Sequence, residues 1–194
     1  MANWFIGVVI DATGWYPERV PTPPPGITPF AAADLHLTIA FLGAIDAARA
    51  ERAWRALAWP LGALTVTLGE VVPMGPPRRY SALSCLLERG REQVEDAMAA
   101  TRGALYAAAE VEADARPAKA HVTLARPHKS ASSAVRRQGL EWARRVDVRG
   151  TELTLRELAL FTWADDRRTA QFRKAATLGL PAPSTFPTPP AEGA

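Results

Sequence analysis

The sequence predicts an α+β protein, on three observations. Strand-like and helix-like segments follow one another without the strict alternation of a doubly wound parallel sheet. No long linker divides the 194 residues, so any division is into two intimately packed lobes. Hydrophobic residues make up 48% and charged residues 22%, enough apolar side chain for a sizeable core in an ordinary globular chain.

The elements follow from local pattern. WFIGVVI (4–10) is β-branched and aromatic and predicts a first strand. YPERVPTPPPGITPF (16–30) carries too much proline for a helix or central strand and predicts an exposed loop. LHLTIAFL (35–42) is a second strand. Asp46 can cap a helix reaching about Trp59, with Ala50, Trp54 and Leu57 on one face. LTVTL (64–68) and YSALSCLL (80–87) are strands around the loop PMGPPRR, and Val94, Met98, Leu105 and Ala108 recur at helical spacing between Arg91 and Glu110. HVTLA (121–125) is a strand, and Ser130, Ser132 or Ser133 caps a third helix bearing Val135, Trp142 and Val146. LTLRELALFTW (153–163) and TAQFRKA (169–175) close as a hairpin around ADDRR. Residues 1–180 thus form the folded domain, and the proline-rich tail 181–194 has the composition of a flexible end.

The net charge of +3 rests on arginine, since the lysines are only Lys119, Lys129 and Lys174. Guanidinium groups suit a phosphate-bearing partner, although solvated surface charge accounts for the balance equally well. Cys85 has no second cysteine to pair with and fits a reducing, cytoplasmic setting. No basic region precedes the first apolar run and no segment approaches the roughly 18 apolar residues of a membrane helix, so neither export nor a membrane is expected. Three histidines and one cysteine at irregular spacing form no zinc-ligand pattern.

Two stretches stand apart. HLTIAFLG begins at His36 and HVTLAR at His121, each placing histidine, threonine and alanine on alternate positions of an apolar run. Side chains on a strand alternate faces, so His36, Thr38 and Ala40 share one face and Leu35, Leu37, Ile39 and Phe41 the other. His121, Thr123 and Ala125 likewise oppose Val122 and Leu124. One such pair is most simply a satisfied polar element on a half-solvated sheet. Two pairs can flank a single pocket, one imidazole taking a proton and the other giving one near neutral pH, with threonine hydroxyls donating to phosphate oxygens.

These motifs resemble those of the 2H phosphoesterase superfamily, in particular its RNA 2′,3′-cyclic phosphodiesterase branch, also called 2′-5′ RNA ligase. The resemblance implies a two-lobed, pseudo-symmetric α+β fold of mainly antiparallel sheets, outer helices and a central cleft, each lobe supplying one His-x-Thr strand. It implies metal-independent hydrolysis of RNA 2′,3′-cyclic phosphate ends to a 2′-phosphate, with reversible 2′-5′ ligation as a further activity and no cofactor. His36 and His121 would be catalytic, with His36 inclined to the acid role, and Thr38, Thr123 and Arg126 would bind the phosphate. Arg126 has the wrong parity to share the face of His121, so the strand must bend or end there, which Pro127 permits. The partner is a single-stranded or tRNA-like RNA end, and the protein is expected to be a monomer.

His128, in RPHKS, is expected to be a loop residue. PPRRYS (76–81) and FTWADDRR (161–168) join aromatics to arginines, the combination that stacks bases, though each is more simply a loop with solvated charge. Two other readings stay open: a non-catalytic RNA-end binding protein, and a phosphodiesterase for 2′-5′ linked oligonucleotides or small cyclic nucleotides.

Overall fold

The computed structural model describes residues 2–182; residues 183–194, most of the expected tail, lie outside it. Among the described residues, nine strands and three α-helices follow one another as β1 (Asn3–Val9), β2 (Ile27–Pro29), β3 (His36–Ala44), α1 (Ala47–Arg55), β4 (Leu64–Met74), β5 (Ala82–Leu87), α2 (Arg91–Ala109), β6 (His121–Pro127), α3 (Ser133–Ala143), β7 (Glu152–Leu155), β8 (Glu157–Trp163) and β9 (Phe172–Gly179). All pairings are antiparallel, in the order β7-β4-β5-β6-β3-β1-β8-β9, with β2 added alongside β6. The α+β expectation holds.

The order divides into two sets of four strands, β9-β8-β1-β3 and β6-β5-β4-β7, whose innermost members carry the two His-x-Thr motifs. They meet at one residue pair, Leu37 opposite Val122, both fully buried. Two buried side chains of this size stabilise the junction by roughly 3–6 kcal/mol through removal from water. Helices α1 and α2 pack on each other and on β1 and β3, while α3 lies on β2, β4, β5 and β6. Asp46 accepts from the Arg49 amide and Ser132 from the Val135 amide, so both helices begin at caps legible in the sequence.

Several boundaries differ from the sequence pattern. Helix α1 stops at Arg55 and does not reach Trp59, because Pro60 disfavours helical backbone in the residue before it. Helix α3 ends at Ala143, leaving Val146 beyond it, partly buried against the core. The strand beginning at Leu64 continues through Met74 past an irregularity between Leu68 and Val71. The stretch 153–163 is two strands, since Arg156 interrupts it and its halves join opposite ends of the sheet, β7 on β4 and β8 on β1 and β9. Consecutive residues can occupy both ends only if the sheet curls until its ends approach. The Leu180 amide donates to the Arg156 carbonyl there, and the Ala63 amide donates to Pro181 at 2.7 Å, so the first residues of the expected tail are docked.

The proline-rich segment is largely the exposed loop its composition predicts, but it is pinned to the core at both ends. Tyr16, Ile27 and Phe30 are buried, and Ile27–Pro29 pairs with β6 as an edge strand, where proline's missing N–H is tolerated. The Trp142 indole N–H donates to the Pro21 carbonyl at 2.7 Å and fixes the loop to α3.

Candidate active site

Within β3 the alternation predicted from the sequence holds at His36 and fails at Phe41. Register shifts against β1 leave Ile39 and Leu42 as extra residues, so parity reverses, Leu42 is buried and Phe41 is exposed. The close approach of β1 beside the motif requires Gly7, where a Cβ would stand 2.6 Å from the Leu37 carbonyl oxygen. A bulge in β6 solves the corresponding problem at Arg126. Leu83 faces Ala125 but Ser84 faces Thr123, so Leu124 is the extra residue and Arg126 regains the cleft side. The guanidinium lies over the Phe30 ring at 5.1 Å, and its charge acts on both His36 and His121. The bend predicted at Arg126 therefore comes two residues earlier, at Leu124.

The antiparallel pairing at Leu37 and Val122 sets His36 opposite Thr123 and Thr38 opposite His121, one residue to either side. With Leu37 and Val122 turned into the core, the four motif side chains share the opposite face. His36 is buried at 7% exposure, His121 and Thr38 are half-buried, and Thr123 is buried with its hydroxyl 3.1 Å from that of Ser84. All five sequence-predicted residues thus gather at the lobe junction.

The two imidazoles are anchored alike. His36 Nδ1 lies 2.7 Å from the Asp34 carbonyl oxygen and His121 Nδ1 lies 2.7 Å from that of Lys119, each two residues earlier. A carbonyl oxygen only accepts, so both Nδ1 atoms carry hydrogen and both neutral rings present a lone pair at Nε2. The Asp34 carboxylate is buried and accepts from the Gln171 and Phe172 amides at 2.8–3.0 Å, tying the start of β9 to the turn that holds His36.

Burial lowers the His36 pKa to about 4, opposed by its bond to Asp34 and reinforced by the charges of Arg126 and His121. His121 is lowered as well, first by burial, with Lys119 and Arg126 adding to the effect and the Lys119 carbonyl and Glu95 opposing it. Desolvation also lowers the pKa of Arg126. Burial thus disfavours protonated imidazole at both positions, and the Arg126 guanidinium is the positive group that an anion beside them would meet.

Sequence reasoning missed Asp34, Ser84 and the rings that enclose His36. Phe5, Phe161 and Phe172 have centroids 4.5, 5.4 and 5.5 Å from the imidazole. Ser84 was legible as the polar residue of a buried strand, whereas the aromatic enclosure depends on pairing among β1, β8 and β9. His128 is the exposed loop residue expected, 2.8 Å from the Thr28 hydroxyl. Among the described residues no helix is long and apolar enough to cross a membrane.

The curled antiparallel sheet with its outer helices is a fold that this chain shares with several solved structures. The individual likenesses are to LigT of E. coli, solved with 3′-AMP (18% identity, TM-score 0.65, 92% of this chain and 98% of that one) and with NADP+ (21%, 0.65, 93% and 98%). A phosphoesterase structure matches at 18% identity and TM-score 0.61, over 94% of this chain and 100% of that one. TT0787 of Thermus thermophilus matches at 19% and 0.59, over 92% and 97%. No family model and no curated protein matches the chain.

Proposed function

We propose that this protein is a 2H phosphoesterase that hydrolyses RNA 2′,3′-cyclic phosphate ends to 2′-phosphates without a metal. The observation that carries the reading is the matched anchoring of His36 and His121 on one sheet face, either side of the Leu37–Val122 pair. With Nδ1 of each ring committed to a carbonyl, Nε2 is the atom left for proton transfer.

In the order to which the family resemblance inclines, His121 Nε2 takes a proton from water as the oxygen attacks phosphorus. The P–O3′ bond breaks, and His36 Nε2 returns a proton to the departing 3′ oxygen. Water is consumed, the 2′-phosphate and 3′-hydroxyl form, and the proton gained by His121 restores the pair through solvent. The Thr38 and Thr123 hydroxyls and the Arg126 guanidinium would donate to the non-bridging oxygens as charge builds there. A 5′-hydroxyl in place of the water would give a 2′-5′ linkage by the same two transfers. Burial holds the His36 pKa at about 4, and the negative charge of an entering phosphate would stabilise its proton.

Purified protein should convert an RNA ending in a 2′,3′-cyclic phosphate to the 2′-phosphate isomer in the presence of chelator. His36→Ala and His121→Ala should each lose about 10²- to 10⁴-fold in rate while remaining folded. Full activity in both variants would refute the reading. Tight, salt-sensitive binding of RNA ends with no product would establish the non-catalytic alternative, and turnover confined to 2′-5′ linked oligonucleotides or small cyclic nucleotides would change the substrate.

A further inference from the structure

From His36 a run of rings leads to the half-buried Trp163. Phe172 meets the imidazole edge-on at 5.5 Å, and Trp163 stacks on Phe172 at 5.1 Å with 16° between planes. Trp163 and Phe172 are direct cross-strand partners on β8 and β9, so the sheet fixes this stack. Trp163 shares its strand face with Phe161, which also borders His36. Two ring-to-ring steps therefore separate the imidazole from the indole, within reach of the base of a nucleotide whose phosphate lies at His36.

The Arg167 guanidinium also lies over the Trp163 ring, 5.0 Å from its centroid. Arg167 is exposed in the turn between β8 and β9, and among the described residues it makes no ion pair. Its neighbour Arg168 is held by Asp166, with nitrogen–oxygen distances of 3.0–3.1 Å. Arg167 thus rests on the indole by a cation–π contact, weak at an exposed site and open to exchange. Guanidinium and indole planes both stack on bases. A base entering between them would keep an aromatic partner below and gain a cationic one above.

We infer that Trp163 and Arg167 clamp a nucleobase of the RNA whose cyclic phosphate lies between the histidines, an inference that rests on the function proposed above. The clamp grips by ring area, so it prefers purine to pyrimidine and any base to none. The substrate class is then a nucleotide or RNA end, as opposed to a bare sugar cyclic phosphate.

The test compares kcat/KM for adenosine 2′,3′-cyclic phosphate, cytidine 2′,3′-cyclic phosphate and the baseless 1-O-methylribose 2′,3′-cyclic phosphate. The wild type should prefer them in that order. Within each protein, the ratio of the adenosine to the baseless substrate cancels any general damage to the site. That ratio should fall about tenfold in Trp163→Ala and several-fold in Arg167→Gln. Ratios equal to wild type in both variants would overturn the clamp while leaving the hydrolase reading intact. Calorimetric titration with adenosine 2′-monophosphate separates the reverse case: if no substrate turns over, weaker nucleotide binding in both variants still supports the clamp and ends the hydrolase reading. Unchanged binding there overturns both.

Discussion

Around His36 the rings of Phe5, Phe161 and Phe172 close within 4.5–5.5 Å, whereas His121, on the equivalent strand of the other lobe, is half-buried beside Lys119 and Glu95. Both imidazoles donate from Nδ1 to a carbonyl two residues back. The repeated motif therefore sets the direction of each ring, and the surrounding lobe sets its hunger for a proton. Two groups of one chemical type thus sit in different surroundings, which under the proposed function would suit them to different roles.

The largest effect comes from removing the need for one role. A substrate with sulfur in place of the 3′ bridging oxygen leaves as a thiolate and needs little protonation. On it, His36→Ala should recover most of a loss of two or more orders of magnitude, and His121→Ala should recover none. Recovery confined to His121→Ala would exchange the roles. Next comes Arg126, which the two lobes share. Arg126→Gln should cost about 10²-fold in kcat/KM by removing a charged donor, with His36 and His121 both shifting to higher pKa as its positive field disappears. Steady-state kinetics and histidine titration read the two consequences.

Much of this contrast was written in the sequence and part of it was not. His36, Thr38, His121 and Thr123 were legible because a polar pair at spacing two within an apolar run survives any error in strand boundaries. Arg126 was legible as a residue type and misleading by parity, because the Leu124 bulge is a property of β5 pairing with β6. Phe41 failed for the same reason on β3. The aromatic enclosure of His36 joins residues from positions 5, 161 and 172, which only the sheet order brings together. The proline-rich segment is the loop that composition announced over most of its length, and what composition could not show is that Tyr16, Ile27 and Phe30 anchor it by burying their side chains.

A third effect is on stability. His36 has a pKa of about 4 when folded and near 6.5 when unfolded, so the unfolded chain binds more protons between those values. The contribution is intact above pH 6.5 and falls as pH drops toward 4, by at most about 3 kcal/mol. Urea unfolding at pH 7 and pH 4.5 should show this loss in the wild type and less of it in His36→Gln; identical slopes would remove His36 as the cause. The smallest effect is expected at Ser84, whose hydroxyl meets that of Thr123 at 3.1 Å. Ser84→Ala should cost about 1 kcal/mol of stability and a few-fold in rate, measured by the same unfolding curves and by kcat.

The shared cleft is tested most directly by following the ring resonances of His36 and His121 through a pH titration, with and without inorganic phosphate. Both should titrate below 6.5, His36 near 4, and saturating phosphate should raise the two together while Nδ1 of each stays protonated. A His36 that titrates at its ordinary value, or phosphate that moves one ring and leaves the other untouched, would contradict the account.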